Sequence, residues 1–148
     1  MRKIENAYEE KISELFHQYE ALSDSGLLYK FVFAGEMDEE EALRRVITKR
    51  GLDDIFFIIA KRSREAECVF QEMDEEKFRK NFRYTPTDLG ANNLAKQIAG
   101  VRLLRKKYIN IKNAEAALKK NIVRYVKYQM KKERIEIEDY KKIPLSYL

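Results

Sequence analysis

A chain of 148 residues with 45% hydrophobic residues is long and apolar enough to bury a core, which excludes a wholly disordered protein. Its five glycines and two prolines are too few for a β fold with many turns. Its single cysteine excludes an internal disulfide and a multi-cysteine zinc site. The formal net charge is +5, and this charge is divided unevenly along the chain.

The two halves of the sequence carry opposite charges. Residues 1–76 hold 11 Lys and Arg against 19 Asp and Glu, a formal charge of −8. Residues 77–148 hold 19 against 6, a formal charge of +13. This asymmetry indicates a basic half that binds a polyanion and an acidic half with another role. The alternative is that a lysine-rich protein simply has solvated surfaces.

The spacing of apolar residues predicts helices along most of the chain. In the acidic half they cover residues 2–22, 26–34, 38–50 and from 53 or 54 to about 70. The last of these is apolar around most of its first two turns, so we expect it to be the central core helix. Ser25 and Asp38 are predicted as helix caps, and Gly51 as the residue that ends a helix.

Helix signals continue across the boundary between the two halves. Asp74 is predicted to cap a short helix, with Met73 and Phe78 as a hydrophobic staple. Thr85 and Pro86 then predict the start of a longer helix, which continues to about residue 108.

The most informative segment is residues 113–134, which we predict to be an amphipathic helix. Its cations are separated by four, three, four and three residues, a spacing that places them on one helical face: Lys120, Arg124, Lys127, Lys131 and Arg134. The apolar residues with the same rhythm form the opposite face: Leu118, Ile122, Tyr125, Val126 and Met130. Such a helix buries one side and presents a ladder of positive charge on the other.

Further cations and aromatic residues precede or interrupt this ladder. We expect Arg102, Lys106 and Lys107 to contact phosphates together with the five cations of the helix. Three tyrosines lie among the charges, and tyrosine can stack on unpaired bases: Tyr84, Tyr108 and Tyr128. The alternative is that these tyrosines complete the core, with their hydroxyls in water.

The end of the chain is predicted to be extended. Ile135, Glu136, Ile137 and Glu138 alternate in strand fashion, so residues 135–148 are interpreted as a tail. A lone strand needs a partner, which makes this tail a candidate contact between two copies of the chain.

Signals for catalysis are weak. His17 is the only histidine and has no nearby partner of the kind that nucleophilic catalysis uses. Cys68 has acidic neighbours, which disfavour a reactive thiolate, so we predict a packing residue. Acidic runs at residues 38–41 and 74–76 are interpreted as helix starts and not as metal ligands. The sequence therefore predicts no catalytic residue, no cofactor and no metal.

Two short segments resemble parts of DNA-binding proteins. Residues 94–101 (LAKQIAGV) resemble the first helix and turn of bacterial helix-turn-helix proteins, with Lys96 where that family has a small residue. Residues 84–94 (YTPTDLGANNL) are similar to the segment after the wing in winged-helix regulators. Each resemblance implies DNA binding, but neither assigns a family.

These observations predict an all-α protein, a compact single-domain bundle of five to seven helices with an extended C-terminal tail. The first hypothesis for its function is a non-enzymatic nucleic-acid-binding protein, either a regulator or a small subunit of a nucleoprotein complex. The alternative hypothesis is a helical protein-interaction module that docks a partner, or a second copy, through its acidic half or its apolar tail. The apolar runs are too short to span a bilayer, so we expect no membrane partner and a cytoplasmic location.

Overall fold

The structure is a computed structural model that describes residues 2–82, 90–107 and 110–141. Eight α-helices occur there: Arg2–Tyr19 (α1), Asp24–Val32 (α2), Met37–Lys49 (α3), Asp53–Gln71 (α4), Glu75–Asn81 (α5), Ala91–Lys106 (α6), Lys112–Arg124 (α7) and Met130–Lys141 (α8). A π-helical turn, Tyr125–Gln129, joins α7 to α8 without a break. The described ranges thus form seven continuous helices and contain no strand, which confirms the predicted all-α class.

The chain divides into two compact units, Met1–Ala60 and Lys61–Leu148. Unit 1 holds 8 Lys and Arg against 13 Asp and Glu, a formal charge of −5. Unit 2 holds 22 against 12, a formal charge of +10. The change of sign predicted from the sequence therefore accompanies a structural division, although that division follows residue 60 and not residue 76. The single domain stays a prediction.

Unit 1 is built from α1, α2, α3 and the first part of α4. Helices α1 and α3 pack against each other, and Ile12 and Leu43 are fully buried. The first two turns of α4 bury Ile55, Phe56 and Ile59 completely. This burial confirms that the helix predicted from residue 53 or 54 contributes to the core.

Helix ends follow the predicted chemistry at two places and depart from it at two others. Gly51 has a positive φ of 69° directly after α3, as expected of a residue that ends a helix. The Asp74 carboxylate accepts the backbone N–H of Lys77 at 2.8 Å and caps α5 as predicted. At α2, however, the cap is Ser23 and not Ser25, since Ser23 Oγ accepts the Gly26 N–H. Asp38 lies inside the first turn of α3, where its carboxylate binds the Lys11 ammonium.

Unit 2 contains an aromatic cluster between α4, α5 and α6. Its buried members are Phe70, Phe78, Ala99 and Leu103. Met73 packs against this cluster, in agreement with the predicted staple. Gly100 faces the ring of Phe82 so closely that a Cβ atom at this position would overlap it. The glycine in the middle of α6 is therefore explained by a side chain that needs the space.

Helix α6 begins later than predicted, but it continues through Gly100 as the predicted helix does. The predicted start at Thr85 and Pro86 lies outside the described residues, as do residues 84–89 of the winged-helix resemblance. Gly90 has an extended backbone and is the N-cap of a helix that begins at Ala91. The same helix continues through Gly100 to Lys106, so the turn implied by the helix-turn-helix resemblance is absent there and that resemblance is wrong.

The prediction of an extended C-terminal tail is wrong for residues 135–141, because α8 continues to Lys141. Two repeats of an Ile-Glu alternation are too short to outweigh good helix formers that extend an existing helix. A strand would also need a neighbouring strand to pair with, and the described residues contain none. Residues 142–148 lie outside the described part of the chain. Of the helices described, none has the length and apolar character needed to cross a bilayer.

Candidate nucleic-acid interface

The predicted amphipathic helix exists, and its buried side is the predicted one. Leu118, Ile122 and Tyr125 are 0–1% exposed and Met130 is 8% exposed. Buried Asn121 on the same side donates a hydrogen bond from its amide to Gln97 Oε1 of α6 at 2.9 Å. We call the continuous segment of α7, the π turn and α8 the long helix.

The π turn changes the direction of every residue that follows it. Its defining bond joins the N–H of Met130 to the carbonyl of Tyr125, five residues earlier. In an uninterrupted α-helix Met130 would lie about 140° from Tyr125 around the axis, at roughly 100° per residue. The extra residue of the π turn rotates the following residues back by about 100°. Met130 is thereby returned to the buried face.

A carboxylate from α8 holds this arrangement. Glu133 accepts the backbone N–H of Ala91 at 3.0 Å and the hydroxyl of Tyr125 at 2.7 Å. Burial raises the pKa of the Tyr125 hydroxyl above its ordinary value of 10.0, and the hydrogen bond to Glu133 raises it further. The positive charges of Arg62 and Arg134 act in the opposite direction.

The cation ladder is rearranged by the same rotation. After the π turn, Lys132 takes the direction predicted for Lys131, and Ile135 takes the direction predicted for Arg134. Lys131 and Lys132 are both exposed, whereas Arg134 is half-buried. The predicted placement of Arg134 on the outer face is therefore wrong, because the helical wheel assumed a regular helix.

Five of the exposed cations of the long helix lie on its outward side and form a surface that we call the basic face: Lys120, Arg124, Lys127, Lys131 and Lys132. Within the described ranges none of these five makes an ion pair, and no hydrogen bond reaches their side chains. Lys132 was missed by the sequence analysis. The signal that would have found it is the apolar residue Met130, which stays on the buried face only if the helix contains one extra residue.

The basic face contains no carboxylate from the residues of the long helix whose side chains the structure describes, 112–135. Residues 110–135 include two acids, Glu115 and Glu133. Glu115 accepts a hydrogen bond from Arg105 Nε at 3.1 Å, and Glu133 is turned toward Ala91 and Tyr125. Both acids of this segment are thus used in contacts with α6 or with the buried side of the long helix. Within residues 110–135, no carboxylate is left over to compensate the outward charge.

Two of the cations predicted to contact phosphates, Arg102 and Lys106, lie beside a buried carboxylate instead of facing only solvent. Arg102 Nε lies 3.1 Å from Glu67 Oε2, and Lys106 Nζ lies 2.6 Å from Glu67 Oε1. Glu67 is only 4% exposed, so its charge requires these partners. The Lys106 contact is an ion pair without good hydrogen-bond geometry, since Oε1 accepts no hydrogen bond from a described residue. Lys107, by contrast, is exposed and makes no ion pair with a described residue.

Among the three tyrosines of interest, the structure describes Tyr128. Its side chain is 78% exposed and makes no hydrogen bond or ring contact with the described residues. The alternative that Tyr128 completes the core is therefore wrong. Tyr84 and Tyr108 lie outside the described residues.

In unit 1, unlike on the basic face, acidic and basic side chains pair with one another. Its acids are tied to its own cations in six ion pairs: Lys11–Asp38, Arg44–Glu40, Arg45–Glu9, Arg45–Glu41, Lys49–Glu20 and Arg50–Asp24. The Asp38 pair lowers the pKa of that carboxyl below its ordinary value of 3.8. Much of the negative charge of unit 1 is thus neutralised locally.

The remaining candidates for chemistry stand apart from one another. His17 is exposed on the last turn of α1, and Cys68 is exposed on α4, so the prediction that Cys68 packs in the core is wrong. No grouping of three potential metal ligands occurs in the described part of the chain. Comparison with protein-family models, curated proteins and solved structures found no match to this chain.

Proposed function

We propose that the chain is a nucleic-acid-binding protein without catalytic activity, whose basic face contacts phosphates. The observation that supports the proposal is a helix surface with five exposed cations that make no ion pair with a described residue, while both acids of residues 110–135 are engaged elsewhere. Cations that lack an intramolecular partner are available to an external anion. Replacing the counterions of a nucleic acid by such side chains is the main source of sequence-independent affinity.

The spacing of these cations suits a polymer of phosphates better than a single anion. A step of four residues along an α-helix advances by about 6 Å, so the basic face from Lys120 to Lys132 extends over roughly three such steps. The phosphates of a nucleic-acid strand also repeat at intervals of a few ångströms. Contacts of this kind position the protein on the backbone and carry no base specificity.

The alternative role, a protein-interaction module that uses its acidic half, has less support. Six ion pairs already neutralise acids of unit 1. Exposed ion pairs of this type contribute little to stability, but they lower the charge offered to a partner. The cations of the basic face have no such partners among the residues that the structure describes. We therefore favour phosphate contact over docking through unit 1.

The test compares two triple variants with the same change in charge. The first is Lys120→Gln, Arg124→Gln and Lys132→Gln in the basic face. The matched control is Lys61→Gln, Arg64→Gln and Lys77→Gln, three exposed cations of unit 2 outside the long helix. Fluorescence anisotropy with labelled DNA and RNA, single-stranded and double-stranded, would give the affinity over a range of salt concentrations.

We expect the control to keep most of the wild-type affinity and the first variant to bind every sequence more weakly. The slope of log affinity against log salt should decrease by about 0.7–0.9 for each phosphate that the variant no longer neutralises. An equal decrease of affinity in the two variants would indicate a general charge effect and contradict the proposal. Weaker self-association with unchanged nucleic-acid affinity, measured by sedimentation, would contradict it in favour of contact between two copies of the chain.

A further inference from the structure

We infer that the basic face recognises single-stranded nucleic acid, with Tyr128 stacking on an unpaired base; this inference rests on the proposed function. Four residues spaced by four lie along the middle of the face: Lys120, Arg124, Tyr128 and Lys132. The aromatic ring thus follows Arg124 by about one turn and precedes Lys132 by another. A cation on each side of an aromatic ring is the arrangement that holds the two phosphates flanking a stacked base.

The outward direction of Tyr128 is a consequence of the π turn. In an uninterrupted α-helix Tyr128 would lie about 60° from Tyr125, at the edge of the buried face. Within the π turn each residue advances by a smaller angle, so Tyr128 is rotated away from that edge and is 78% exposed. The same turn that buries Met130 therefore presents Tyr128 to the solvent among cations.

The exposed Tyr128 ring buries little apolar area within the chain, so its face is available to an external partner. Nucleic-acid bases can fill that position only when they are unpaired. In a duplex the base faces are covered by neighbouring bases, whereas in a single strand they are free to stack on an aromatic side chain. Every base has such a face, so stacking at Tyr128 adds affinity with little sequence preference.

A duplex would use the same residue differently. Tyr128 would then contact a phosphate through its hydroxyl, as polar side chains do on duplex DNA. The two cases differ in whether the ring or the hydroxyl is needed. Tyr128→Ala removes both groups, and Tyr128→Phe removes the hydroxyl alone.

The affinity experiment compares a single strand of about 20 nucleotides, such as oligothymidylate, with a duplex of equal length. Tyr128→Ala should weaken binding to the single strand between about 5-fold and about 150-fold, the range expected when one base no longer stacks on an aromatic ring. Tyr128→Phe should bind the single strand as wild type does. The matched control is Tyr8→Ala, which removes an exposed tyrosine of the acidic unit and should change neither affinity.

A spectroscopic experiment tests stacking directly. The chain has no tryptophan, so Tyr128→Trp introduces a single indole at the proposed contact. Its fluorescence should be quenched when the single strand binds and should change little with the duplex. Tyr8→Trp serves as the control and should not respond to either.

The outcomes separate the inference from the proposed function. If wild type binds neither strand form, the proposed function is wrong and this inference falls with it. If wild type binds both forms equally and Tyr128→Ala binds as wild type does, phosphate contact survives and the stacking inference is refuted. Equally weakened binding in Tyr128→Phe and Tyr128→Ala would assign the effect to the hydroxyl and would also refute stacking.

Discussion

The Glu133 carboxylate of α8 lies 3.0 Å from the backbone nitrogen of Ala91, the first residue of α6. The N-cap of α6 is Gly90, which has no side chain to accept a hydrogen bond from the first turn. Glu133 supplies that acceptor from a distant part of the sequence, and its negative charge lies at the positive end of the α6 dipole. The same carboxylate receives the Tyr125 hydroxyl and so fixes both sides of the π turn.

Replacing this carboxylate should destabilise unit 2. Glu133→Ala leaves the Ala91 N–H and the Tyr125 hydroxyl without their acceptor, which we expect to lower the free energy of unfolding by about 2 kcal/mol. The control is Lys132→Ala at the exposed neighbouring position, with an expected change within about 0.5 kcal/mol. Urea denaturation followed by circular dichroism measures both. Equal stability of the two variants would show that Glu133 does not hold the π turn.

The Tyr125 hydroxyl predicts a specific dependence of stability on pH. Because its pKa is raised in the folded protein, the unfolded chain ionises first as the pH rises above about 10, and the folded state loses stability. The decrease caused by one such group is at most about 1.4 kcal/mol per pH unit. Below that pH the hydroxyl is neutral in both states and contributes no slope.

Tyr125→Phe isolates this contribution. The variant should be less stable at neutral pH by about 1 kcal/mol, because it lacks the bond to Glu133. Above pH 10 its stability should fall less steeply than that of wild type, so the difference between them narrows. Buried Tyr19 also has a raised pKa, but it is present in both proteins and cancels in the comparison. Parallel stability curves from about pH 9 to pH 11 would contradict the assignment.

Replacing Gly100 by alanine should lower stability, although helix propensity alone predicts the reverse. Alanine is favoured over glycine in a helix by about 1 kcal/mol, yet Gly100→Ala should destabilise the protein because its Cβ overlaps the Phe82 ring. Combining Gly100→Ala with Phe82→Leu should recover part of the stability. Gly35→Ala is the control, since no atom lies within 4 Å of a Cβ at that position. A Gly100→Ala variant that melts above wild type would rule out the close contact.

The cations around Glu67 should affect stability more than affinity. Lys106→Gln and Arg102→Gln each leave a buried carboxylate with one partner fewer, and we expect each to destabilise by about 1–2 kcal/mol, moderated by the exposure of the cations. Lys107→Gln, next in the chain and exposed, should leave stability unchanged. Adding Glu67→Gln to the Arg102 and Lys106 variants should restore stability, and this double-mutant cycle measures the coupling. Additive effects would mean that the three side chains do not act together.

Local sequence patterns predicted the features of this protein that depend on local physics. The apolar spacing of α4 and α7 identified their buried sides, because a helix that buries one face must repeat its apolar residues every three or four positions. The cap at Asp74 and the end at Gly51 follow from the chemistry of single residues. Where two nearby residues could each cap the same helix, the sequence did not decide between them. Ser23 and Ser25 offer equivalent hydroxyls, and only the path of the chain selects between them.

Features that depend on distant partners could not be predicted. The π turn is stabilised by a contact between Glu133 and Ala91, which are 42 residues apart. The cations Arg102 and Lys106 look like any surface cation until Glu67 is placed beside them. The helix with a basic side was therefore predicted, but the exposure of its cations departs from the prediction after the helix becomes irregular. Beyond that point Lys131 is exposed as expected, Lys132 is exposed in addition, and Arg134 is half-buried.

The π turn also has a consequence for comparing this chain with any relative. The π turn adds one residue to the long helix. A residue after Gln129 therefore points in the direction that its predecessor would take in a regular helix, whereas residues before Tyr125 keep their regular directions. A relative with a regular helix would be one residue shorter in this segment. Its outward cations would match Lys120 and Arg124 directly, but would match Lys132 only across a gap. An ungapped alignment would pair outward residues with inward ones and hide a surface that both proteins share.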